Sequence, residues 1–71
     1  MTTIDILKKL ARIDQMLSLR DEAQRAGDPE SLIVVRMMDN AVAETRHTIR
    51  RGVPETRFAE LRRQHPTLVE C

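Results

Sequence analysis

Apolar residues recur along the first third of the chain at Ile6, Leu10, Ile13 and Leu17, steps of four, three and four that line one side of an α-helix. Leu7 and Met16 flank this stripe. The same register continues into Arg20 and Gln24, so the seam turns polar in its last two turns. Thr2 or Thr3 can cap the helix, Asp5 suits its first turn, and Gly27 can take the left-handed conformation that closes it. Together these signals predict a helix over about 3–26.

A second helix is predicted over 29–51. Asp28 stands at its cap, Pro29 at its first position and Glu30 beside it, a combination suited to the exposed amides and positive dipole of a helix start. At 100° per residue, Val34, Val35, Met37, Met38, Ala41, Val42 and Ile49 share a face with Thr45 and Thr48. Arg36, Asp39, Asn40, Arg46, His47, Arg50 and Arg51 take the other. The β-branched run Ile33 to Val35 also suits a strand, but no second strand is available to pair with it. Gly52-Val53-Pro54 ends this segment and His65-Pro66 the next, which predicts a short third helix over 55–64. Phe58 and Leu61, with Val53 and Leu68 beside them, can partly cover the other two helices. The tail, 66–71, is expected to fray or to lie against Phe58.

The expectation is one all-α domain over 1–71: an antiparallel hairpin of two long helices, each about 35 Å, joined by a short turn, plus the short third helix. Composition sharpens this picture. With one Phe, no Tyr and no Trp among 71 residues, the core must be built from Leu, Ile, Val, Met and Ala. A chain of this length buries roughly 60% of its unfolded surface, and such a core rarely supplies more than about 5 kcal/mol. A hairpin alone also leaves one side of both seams wet. Completion as a homodimeric helical bundle is therefore expected, with Ile6, Leu10, Ile13, Leu17, Val34, Met37, Met38 and Val42 as the self-association or partner face.

The longest apolar run, Leu32 to Val35, is far short of the roughly 20 residues that span a bilayer, and Met1 to Leu10 lacks the pattern of a secretory signal. The only cysteine, Cys71, leaves no intrachain disulfide and no thiolate metal cluster. A cytoplasmic protein with no membrane association is expected. The net charge of +1 is unevenly spread: residues 46–65 hold six arginines against Glu55 and Glu60, a local net of +4.

Catalytic chemistry finds no support. The two glycines stand 25 residues apart, so no glycine-rich phosphate loop exists, and neither Ser18 nor Ser31 sits in a nucleophile elbow. His47 and His65 fall on different predicted helices without a neighbouring ligand, which argues against zinc. Glu44 and His47 have the spacing of a diiron helix but lack its other inward carboxylates. No enzyme activity, cofactor or metal is expected.

Three segments resemble known families. Arg12-Ile13-Asp14-Gln15-Met16-Leu17-Ser18-Leu19-Arg20 is similar to the first helix of the all-helical chorismate mutases, which clamp a dicarboxylate with cationic side chains from several helices of a longer chain. Gly52 to Arg63 resembles the turn and recognition helix of a helix-turn-helix motif, with Val53, Phe58 and Leu61 at its apolar positions. That resemblance implies that Glu55, Thr56, Arg57 and Arg62 face outward, arginine being suited to bidentate reading of guanine. Arg51 and His47 stand where the preceding helix of that motif has apolar residues. Arg51 to Glu55, followed by Phe58 and Leu61, also resembles the hairpin turn of the small needle co-chaperones of type III secretion, in which a long helix follows.

Two classes of partner remain. One is another protein: Met37 and Met38 cannot both enter one narrow seam, and methionine adapts to varied surfaces, which suits a small regulator or adaptor. The alternative is nucleic acid, carried by Arg46, Arg50, Arg51, Arg57, Arg62 and Arg63. The lack of stacking aromatics then favours a duplex over a single strand.

Overall fold

The computed structural model describes residues 1–69; Cys71 lies outside the described residues. Four helices follow in order: α1 over Thr3–Ala26, α2 over Pro29–Gly52, α3 over Glu55–Gln64 and α4 over Pro66–Val69, with no strand among the described residues. α1 and α2 fold back on each other as an antiparallel hairpin, and their length sets the long dimension of a molecule of 41 × 18 × 17 Å.

Local chemistry explains each boundary. At the start of α1, the Asp5 amide donates to Thr2 Oγ1 (3.2 Å) while the Thr2 amide donates to Asp5 Oδ2 (3.3 Å), a reciprocal capping box. These bonds hold the Asp5 carboxyl below its usual pKa. Gly27 closes α1 at φ 71°, its amide donating to the Ala23 carbonyl, in a conformation that a β-carbon would strain. Asp28 and Pro29 then open α2. The Ser31 side chain lies close enough to lower the Asp28 pKa, outside the geometry of a capping hydrogen bond. Gly52 is the last residue of α2, and the chain straightens at Val53 (φ −125°, ψ 149°), the extended state favoured before Pro54.

Ile6, Leu10 and Ile13 of α1, Val42 and Ile49 of α2, Phe58 and Leu61 of α3, and Val69 of α4 form a single buried cluster. Met16, Leu17, Val53 and Leu68 pack against it. The core therefore lies where the amino-terminal half of α1 meets the carboxyl-terminal half of α2. Towards the hairpin turn the seam is polar, as the register predicted: Arg20 pairs with Asp39 across the helices and donates to Gln24 Oε1 (2.9 Å).

Of the two placements expected for the tail, the second holds for residues 66–69, which do not fray: they form the turn α4, whose Val69 joins the buried cluster that holds Phe58. One expectation needs correction. Arg46 does not sit on the solvated face. It is half-buried, and its guanidinium donates to the carbonyls of Leu68 (2.9 Å) and Thr67 (2.8 Å), tying α4 to the carboxyl-terminal half of α2. A four-residue helix leaves most of its carbonyls without an intrahelical partner, and Arg46 supplies donors to two of them.

Candidate interaction surfaces

The expected partner face divides in two. Ile6, Leu10, Ile13 and Val42 are buried in the protein's own core, Leu17 and Met38 are half-buried beside the seam, and Val34 and Met37 are exposed. The conflict between Met37 and Met38 resolves as their neighbouring positions require: Met38 turns toward the seam and Met37 stands 59% exposed.

The two sides of the hairpin are unlike. α3 and α4 cover one side, where Leu10 and Leu17 of α1 and Arg46 of α2 lie. On the other side, Lys9, Arg12 and Met16 of α1 face Ala41, Glu44, Thr45 and Thr48 of α2 across an open groove of about 360 Å³. The Thr45 and Thr48 hydroxyls donate within α2 to the carbonyls of Ala41 (2.8 Å) and Glu44 (3.0 Å), so the charged donors of the groove are those of Lys9 and Arg12 on α1. Nearer the hairpin turn, Leu19 and Met37 stand exposed one turn from Met16 and Ala41, and Val34 two turns from Ala41. This side is thus charged along its rims near the core and apolar near the turn.

A second apolar patch, Leu32 and Ile33 beside Arg36, lies on the side of α2 turned away from α1. Sequence reasoning singled out neither Leu32 nor Ile33. Four consecutive apolar residues, Leu32 to Val35, spread over most of a helical turn, so part of the run must point away from any single seam.

The six arginines have different surroundings. Arg46 holds α4. Arg50 and Arg62, 12 residues apart in sequence, both lie over the Phe58 ring, 5.3 and 5.4 Å from its centroid. With Val53, Glu55 and Ala59 they line a cavity of about 360 Å³ at the α2–α3 junction. Arg57 approaches Glu60 (4.0 Å) and donates weakly to Thr3 Oγ1 (3.5 Å). Arg51 and Arg63 are exposed. Val53, Phe58 and Leu61 do pack inward as the helix-turn-helix resemblance implies, but the preceding helix is the full-length α2 and Gly52 is helical within it.

Among the described residues no group of three His, Cys, Asp or Glu could hold a metal ion, and no helix is long and apolar enough to cross a membrane. No family model, curated protein or solved structure matches the chain.

Proposed function

We propose that the protein is a small non-enzymatic adaptor or regulator that acts in the cytoplasm by binding another protein. The observation that carries this reading is the pair Leu32 and Ile33, 51% and 61% exposed beside Arg36 on the outer side of α2. Neighbouring large apolar side chains left more than half exposed suit a protein contact, and Arg36 adds a donor for an acidic or carbonyl group on the partner.

Affinity capture of the tagged full chain from its source extract, with and without nuclease, tests the reading. The expected result is a set of proteins retained in both arms, insensitive to salt and lost with the double substitution Leu32→Asp and Ile33→Asp. Capture that disappears with nuclease, or falls steeply with ionic strength, overturns it.

That second outcome belongs to the alternative reading, nucleic-acid binding. Its support is the convergence of Arg50 and Arg62 beside Phe58, with Arg63 exposed on the same short helix. Replacing Arg57, Arg62 and Arg63 by Ala should abolish capture if nucleic acid is the partner and leave it intact if a protein is.

A further inference from the structure

We propose that the open side of the hairpin is covered by a second copy of this chain, face to face, with the two hairpin turns at the same end of a four-helix bundle. The proposal rests on the reading of the protein as a binding module and assigns one of its surfaces to self-association.

The argument begins with the pattern of that side. Its half nearer the turn carries Met16, Leu19, Val34, Met37 and Ala41. Its half nearer the core is rimmed by cations on α1, Lys9 and Arg12, and by the anion Glu44 on α2. Lys9, Arg12 and Glu44 line one groove and so lie at the same level along the hairpin. A two-fold axis parallel to the hairpin and lying in the interface sets α1 of each protomer opposite α2 of its partner. Lys9 and Arg12 then face the partner's Glu44, twice by symmetry, and the apolar halves meet each other. The other face-to-face two-fold, perpendicular to the hairpin, sets α1 against α1. It lays the apolar half over the charged half, leaving Lys9, Arg12 and Glu44 desolvated without partners. The pattern is self-complementary in the first arrangement only.

The size also suits a second copy. A face of 41 by 18 Å presents on the order of 700 Å² per protomer, near the about 800 Å² per partner of a standard specific interface. Four helices around one apolar centre give the polar, two-helix half of the hairpin the packing that α3 and α4 give the other half.

The test is the solution mass of the full-length protein by sedimentation equilibrium over a range of concentrations. The expected result is twice the 8.2 kDa of the chain. The pair Leu19→Asp and Met37→Asp should weaken association roughly thirtyfold or more. Both residues are exposed in the single chain, so unchanged helicity by circular dichroism shows that the hairpin survives. Glu44→Lys should weaken the homodimer roughly tenfold, as should Lys9→Glu with Arg12→Glu. Mixing those two variants should restore association between unlike chains, because opposite charges then meet at both interface edges; a protein carrying all three changes should restore the homodimer. A monomer at every concentration overturns the proposal. So does a dimer indifferent to Leu19→Asp and Met37→Asp, and a triple variant that fails to recover overturns the arrangement with turns together. Leu32→Asp, about 140° around α2 from Met37, lies off this face and should leave the mass at the dimer. Loss of capture with the dimer intact therefore speaks to the adaptor surface, whereas loss of the dimer with capture intact speaks against self-association.

Discussion

The half of the hairpin near the chain's amino terminus and the half near its turn are built from the same two helices, yet they are held together differently. In the first, Ile6, Leu10, Ile13, Val42 and Ile49 close against Phe58, Leu61 and Val69, so two further helices, α3 and α4, exclude water. In the second, the seam is bridged by Arg20 and Asp39, and Leu19, Val34 and Met37 remain exposed. Two helices in contact bury one stripe each, and only a third layer buries the flanks. Stability therefore concentrates at one end, and the other end offers its apolar surface to whatever binds there.

The largest expected effect separates the halves outright. Ile13 and Ile49 are both wholly buried, and replacing either with Ala should cost about 2–5 kcal/mol, enough to unfold much of a domain this small. Met37→Ala should change the stability of the isolated chain by less than about 0.5 kcal/mol. Thermal denaturation monitored by circular dichroism reads both, and equal losses would abolish the distinction between the halves.

Arg46→Ala comes next, at about 1–3 kcal/mol, because it removes the donors that hold the Thr67 and Leu68 carbonyls and releases α4 from the core. Hydrogen exchange at the Leu68 and Val69 amides, both bonded to the His65 carbonyl, should accelerate before the rest of the molecule responds. At the opposite end, Gly27→Ala forces a β-carbon into φ 71° and should cost about 1–2 kcal/mol. An unchanged melting temperature would mean that the turn relaxes to another backbone conformation.

The smallest effect is a pH dependence. Thr2 holds the folded-state pKa of Asp5 below its ordinary value, so the contribution of the capping box is fully present above that ordinary value and is lost as pH falls through the lower, folded one. Amide exchange in the first turn of α1, corrected for its intrinsic pH dependence, should rise in that acid window. Thr2→Ala should remove the dependence and lower stability by about 1 kcal/mol.

Much of this was legible in the sequence. The spacing of Ile6, Leu10, Ile13 and Leu17, the cap signals at Thr2 and Gly27, and Pro29 after Asp28 specify the long helices, because capping and periodicity act within a few residues. The turn to polarity at Arg20 and Gln24 was legible for the same reason. Leu19, Leu32 and Ile33 were missed as surface candidates, since an apolar residue in an amphipathic helix reads as core until the position of the next layer is known. The role of Arg46 was illegible, because its carbonyl partners lie 21 and 22 residues away.

What the sequence determined by itself is the local layer: helices, caps, turns, and the stripe that each long helix buries against the other. Only the tertiary structure decided which flank of that seam α3 and α4 would cover, that Arg46 and Arg50 would serve α4 and Phe58, and which apolar side chains would remain exposed. Those choices depend on contacts between segments distant in the chain. The same 100° periodicity is compatible with a third layer on either side of a hairpin, so packing had to choose between them.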